Sequence, residues 1–163
     1  MRRITADIIY PITSNPLTDH VLLLEDDGTI INIQPLSDFD ETTVEKLAGA
    51  LVPGFINTHC HIELSHLKQQ FPQKTGLPEF LNLVTAQREH KEEVMLSAIV
   101  SAEKEMLDNG IVAVGDISNL SLSFAQKAKR NLYYHTFIEL IAFDPFKAGI
   151  AMEAGEKLIA DAR

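Results

Sequence analysis

Four of the five side chains in His59-Cys60-His61-Ile62-Glu63 can ligate a metal or carry a proton. In a strand, side chains at i and i+2 point to the same side. That alternation predicts His59 and His61 as neighbours on one face, with Cα atoms roughly 6.5–7 Å apart. Two imidazoles at such a separation can converge on one cation with bonds of about 2.0–2.1 Å. Glu63, two positions further, can share that face; a surface carboxylate at a strand end is its plainer reading. Cys60 points the other way, towards a helical layer, and reads as a small buried apolar residue. A His-x-His pair alone is a weak sign of metal binding, so its setting has to carry the argument.

The setting is a run of alternating elements. Residues 51–59 read as an apolar strand entered through the turn Pro53-Gly54. Residues 64–78 form a long connection with Pro72, Gly76 and Pro78, and His66 lies in it, above the histidine pair. Helix is predicted from residue 79. Over residues 92–109 Met95, Ala98, Ile99, Ala102 and Met106 fall on one stripe, and Asn109-Gly110 is a helix stop. Residues 111–114 are a buried strand ended by Gly115-Asp116. A helix at 121–130, a strand at 132–140 and a helix at 147–162 follow. The order β-α-β-α-β-α predicts parallel strands with crossover helices. His59 and His61 then sit at the carboxyl end of the first strand, the face on which β/α barrels carry their sites.

Residues 1–50 differ in style. Alternation over residues 3–10, an apolar strand at 21–24, a turn at Asp26-Asp27-Gly28 and a returning strand at 29–33 make a small β module with a hairpin. Residues 38–45 are an acidic connector without apolar period.

The chain has 163 residues, one ordinary domain by length. A complete eight-fold β/α barrel needs roughly 250. Apolar residues make up 45% and charged ones 23%, an ordinary globular composition. The net charge of -9 is a poor match for nucleic acid or an anionic membrane, so neither partner is expected. With one cysteine no intramolecular disulfide forms. Arg2-Arg3 is followed by no long apolar region, so no signal peptide is read, and no apolar run approaches a membrane span. The expected location is the cytoplasm.

The run Val52-Pro53-Gly54-Phe55-Ile56-Asn57-Thr58-His59-Cys60-His61 after a small β module resembles the start of an amidohydrolase-superfamily enzyme. Within that superfamily, His61 to Leu67 followed by Thr75-Gly76-Leu77-Pro78-Glu79-Phe80 is similar to the deaminase branch, the aminofutalosine deaminases and chlorohydrolase-type enzymes. The resemblance is specific in residues 51–67 and loose elsewhere. It implies an N-terminal portion: residues 1–50 as half of a β-sandwich, and residues 51–163 as the first three β/α units of a TIM barrel.

It also implies His59 and His61 as ligands of one divalent metal, zinc with iron as the alternative, and Glu63 as part of the substrate pocket. His66 is the second substrate-contact candidate, against a solvated loop histidine. The implied reaction is hydrolytic deamination of a nucleoside-like or heteroaromatic amine: water acidified by the metal attacks the amino-bearing carbon, a carboxylate moves the proton, and ammonia leaves. The family's acid and base residues would lie beyond Arg163. A cyclic-amide hydrolase of the same superfamily, and a non-catalytic fragment or assembly module, are the alternatives. The expected partners are a small-molecule substrate and either further copies or a missing C-terminal half, because an unpaired strand edge invites association.

Several residues carry two readings each. Phe71 and Phe80 can stack on a base or anchor the long loop. Asp116 and Glu139 can face the site or serve as structural hydrogen-bonding carboxylates. Lys127, Lys129 and Arg130 read as a solvated helix end. His20, His90 and His135 are left as ordinary residues.

Overall fold

The computed structural model describes residues 1–142 and 144–162. The chain is mixed α/β and divides into two compact units, Met1–Gly54 and Phe55–Arg163.

The first unit is a four-stranded sheet. Strands β1 (Arg2–Ile9), β2 (His20–Leu24), β3 (Ile30–Pro35) and β4 (Glu45–Leu51) lie in the order β3-β2-β1-β4. β2 pairs antiparallel with both β1 and β3, and the turn into β3 uses Gly28 at φ +90°. β4 pairs parallel with β1. The period reading misses β4 and places only a connector before residue 45. Six of the seven residues of β4 are exposed, so there is no alternation to read. Val21, Leu23 and Val44 form the core, with Leu36 and Phe39 packed on it.

The strand expected over residues 51–59 is in fact two. The Leu51 carbonyl accepts from the Tyr10 amide and closes the first sheet. A new strand, β5 (Phe55–Cys60), starts where the Phe55 amide donates to the Gly110 carbonyl. Pro53, which has no N–H to give a ladder, stands at the break.

The second unit is a three-stranded parallel sheet in the order β5-β6-β7, with β6 (Ile111–Ser118) and β7 (Tyr133–Ile138). Between β5 and β6 come a 3-10 turn (Ile62–Leu67), α1 (Leu77–Gln87) and α2 (Glu92–Asp108). α2 carries the expected stripe: Met95 and Ile99 are buried, and Ala98, Ala102 and Met106 half-buried. Glu103 sits on that same stripe, buried. The helix expected over 121–130 is the single turn α3 (Phe124–Lys127), and α4 (Ala148–Asp161) follows a 3-10 turn at Pro145–Lys147.

Val114, Asp116 and Ser118 point to one side of β6 and are buried. On the other side, Ile56, Ala113 and Tyr133 share one row and Ile117 and Phe137 another; Ile56, Tyr133 and Phe137 are exposed. Among the described residues no helix is long and apolar enough to cross a membrane.

Candidate metal centre

The histidine pair is positioned by a bulge. Asn57 pairs with Val114 and Cys60 with Asp116, so β5 fits one residue more than β6 over this stretch. The extra residue pushes the Thr58 carbonyl towards β6. There Gly115 is required: a Cβ at that position would lie 2.9 Å from the Thr58 oxygen. His61 has already left the strand, with φ -123° and ψ 75°, and opens the 3-10 turn. The two imidazoles lie 5.3 Å apart between ring centres, edge to face at 64°. They do meet as the sequence predicts, through a bulge and a turn rather than through regular strand alternation.

His59 is exposed and His61 half-buried. The Nδ1 atom of His61 is buried and meets no hydrogen-bonding partner among the described residues. A buried ring nitrogen without a partner, beside a second imidazole, suits a pair of metal ligands. Among the described residues, no group of three or more His, Cys, Asp or Glu side chains is placed to hold a metal. A catalytic zinc takes three protein ligands plus water, so these two histidines fit part of such a site.

Cys60 lies opposite Asp116, half-buried. Burial, and then the Asp116 carboxylate, push its thiol up to about 12. It is therefore a neutral thiol at physiological pH, in keeping with its reading as a packing residue.

Glu63, the expected pocket residue, is engaged within the protein. Its side chain is fully buried. Its oxygens accept the Asn119 amide at 3.1 and 3.2 Å and the Leu120 amide at 3.0 Å, with the Arg88 guanidinium 3.8 Å away. Burial raises its pKa, and the two amides act against that. Its work is to fasten the loop after β6 to the turn after β5. Asn119 extends the tie: its side chain accepts from Arg88 at 3.1 Å and donates to the Glu139 carbonyl at 2.8 Å. The carboxyl ends of all three strands are thereby joined.

His66 is half-buried in the 3-10 turn. Its Nε2 is 3.4 Å from the Gln87 carbonyl, its ring lies 5.9 Å from that of His90, and its Nδ1 is buried and meets no partner among the described residues. Phe71 and Phe80 pack edge to face with ring centres 6.0 Å apart, as loop anchors do. A cleft of about 670 Å³ is lined by Arg88, His90, Glu139 and the apolar side chains of Leu122, Leu140 and Leu158; neither His59 nor His61 lines it.

Asp116 takes its structural reading, and Lys127 departs from the expected one. Lys127 is no solvated helix end: its side chain is 8% exposed, and its Nζ lies 2.6 Å from Asp116 Oδ2. Asp116, wholly buried, faces the helices. Glu103 was missed altogether. It accepts from Gln126, Asn131 and the Tyr134 hydroxyl at 2.7, 2.8 and 2.8 Å. A carboxylate inside an otherwise apolar helical stripe was the available sign.

No protein-family model matches the chain, and no curated protein sequence does. Solved structures do. The Helicobacter pylori aminofutalosine deaminase in complex with methylthio-coformycin aligns with a TM-score of 0.73 at 21% identity, over 100% of this chain and 41% of that one. An adenosine deaminase from Xanthomonas campestris with bound zinc aligns with a TM-score of 0.58 at 18% identity, over 81% and 32%. The Arthrobacter aurescens atrazine chlorohydrolase, as a mutant complexed with zinc and atraton, aligns with a TM-score of 0.63 at 16% identity, over 88% and 37%. These likenesses establish a shared fold. The chain spans less than half the length of each.

Proposed function

We propose that this chain is the N-terminal part of a metal-dependent hydrolase that deaminates a nucleoside-like or heteroaromatic amine. The observation that carries the reading is the His59–His61 pair, at the carboxyl end of the first parallel strand, in a fold matched by deaminases and a chlorohydrolase. In this reading residues 1–50 are half of a β-sandwich. Residues 51–163 are the first three β/α units of an amidohydrolase-type barrel, whose remainder comes from further sequence or a partner chain.

His59 and His61 would hold one divalent cation, zinc in the first instance. The chemistry such a cation supplies when bound is acidification of a water near neutral pH. The pair holds two neighbouring imidazoles at the open end of the sheet. The bulge at Thr58 and the turn after His61 set their separation. Glu63 and Asn119 keep the loops after β6 and β7 in register beside them. Residues that protonate the leaving amine lie outside this sequence. The bare rows carrying Ile56, Tyr133 and Phe137 are the surface on which further strands and their side chains would close.

Native mass spectrometry of the full chain, as isolated and after zinc addition, tests this. One zinc per chain, lost in His59→Ala and in His61→Ala, is expected, together with oligomers through the open strand edges. Failure to take up zinc, or uptake unchanged in the double variant, would overturn the metal reading.

A further inference from the structure

We propose that Asp116, clamped by Lys127, is the positioning residue that aims the His61 imidazole; its bearing on metal rests on the reading above. Asp116 Oδ1 accepts the amide N–H of Ile62 at 2.8 Å, a buried bond between residues far apart in sequence. That N–H belongs to the peptide immediately after His61. The orientation of this peptide fixes the His61 ψ of 75°, and with it the direction in which the His61 side chain leaves the backbone.

The carboxylate itself has no freedom. Its second oxygen lies 2.6 Å from Lys127 Nζ and accepts the Ser118 hydroxyl at 3.1 Å. Lys127 gives its remaining N–H groups to Ser118 Oγ at 3.0 Å and Thr136 Oγ1 at 3.1 Å. An ammonium has three donors, and all are spent. Strand β6, strand β7 and the one-turn α3 thus meet at the Lys127 ammonium, which holds the carboxylate that reaches across the sheet to the residue after His61. Asp116 touches neither imidazole and faces the helical layer. It acts through the backbone. Groups that orient a metal ligand typically contribute about 10–100-fold to metal affinity.

The test uses the full 163-residue chain and four proteins: wild type, Asp116→Ala, the pair Asp116→Asn with Lys127→Met, and Glu103→Gln. The paired variant keeps an acceptor for the Ile62 amide and removes both charges. Glu103→Gln perturbs an equally buried carboxylate that makes no bond to residues 61–62. Zinc affinity is read by competition with a chromophoric chelator. Asp116→Ala is expected to weaken zinc about tenfold or more, and the other two to stay within about threefold of wild type.

A second readout needs no metal: the nuclear Overhauser contact between the His59 and His61 rings in the zinc-free chain. It is expected to disappear in Asp116→Ala and to persist in the paired variant and in Glu103→Gln. If wild type takes no zinc and the ring contact still follows this pattern, the metal reading fails and the positioning role stands. A ring contact unchanged in Asp116→Ala, or lost equally in Glu103→Gln, overturns the positioning role whatever zinc does.

Discussion

In the unit Met1–Gly54 the buried side chains are Ile4, Ile9, Val21, Leu23 and Val44, and the buried polar group is Thr5, whose hydroxyl donates to the His20 carbonyl. Its ion pairs, the Met1 amino group with Asp26, Arg2 with Glu45 and Lys46 with Glu41, are exposed, where such pairs contribute little. The unit Phe55–Arg163 adds buried charge to an apolar core of Ile62, Met95, Ile99, Val114 and Leu132. It buries Glu63, Glu103 and Asp116 and nearly buries Lys127, while Ile56, Tyr133 and Phe137 stand in water. A buried ion pair is a poor source of stability, since desolvation offsets the attraction, but losing one partner is costly. The first unit therefore reads as a sheet held by apolar packing. In the second, two of the buried carboxylates, Glu63 and Asp116, fix the carboxyl ends of the strands relative to each other, where the histidines are.

The strongest way to break the contrast is Lys127→Met. It leaves Asp116 charged and unpaired, and the expected cost is about 3–5 kcal/mol, read by denaturant titration with amide exchange in β6 and β7. A cost under about 1 kcal/mol would mean that the pair is not what holds this unit. Next comes Leu23→Ala in the first unit. Deleting buried methyl groups there is expected to cost about 2–3 kcal/mol, read at the amides of β1, β2 and β4. A near-zero effect would remove the apolar half of the comparison.

The smallest effect concerns pH, and the two units should differ in sign. Asp27 and Asp40 lie below their ordinary value of 3.8, lowered first by the Thr29 and Thr42 amides. Their contribution is present above 3.8 and lost as pH falls below it. Glu63 lies above its ordinary 4.5 because of burial. Its contribution is present below 4.5 and lost as pH rises through the raised value. Between pH 4.5 and 7, β6 and the turn at Ile62–Leu67 should become less stable on going to neutral, and Glu63→Gln should flatten that slope. Below pH 4 the first unit should weaken instead. Amide-resolved unfolding at several pH values checks both signs; a common sign would defeat the contrast.

Legibility in the sequence follows the same division. The three parallel strands and α2 with its stripe could be read from period and spacing, because packing imposes them; the nearness of His59 and His61 is legible from their spacing, but not the bulge and turn that produce it. β4 could not: its pairing with β1 is made by backbone groups and leaves no alternation in the side chains. The bulge at Thr58 shows only in retrospect, through Gly115 opposite it. The buried polar groups were the least legible. Glu63, Asp116 and Lys127 have the composition of a solvated surface, and only their partners, dozens of residues away for the two acids, reveal them as interior.

The parallel pairing of β1 with β4 also sets a schedule for the ribosome. Ile4 must wait for Glu45 before its outer edge is covered, whereas the β2–β3 hairpin can form as soon as it emerges. At roughly 5–20 residues per second, that edge stays open for roughly two to eight seconds of synthesis. β5 waits longer still, for Ile111. The stretch that carries His59 and His61 thus waits longer for a neighbour than any strand of the first sheet, and a nascent chain stalled between the two events would display β5 bare while β1 is already paired on both sides.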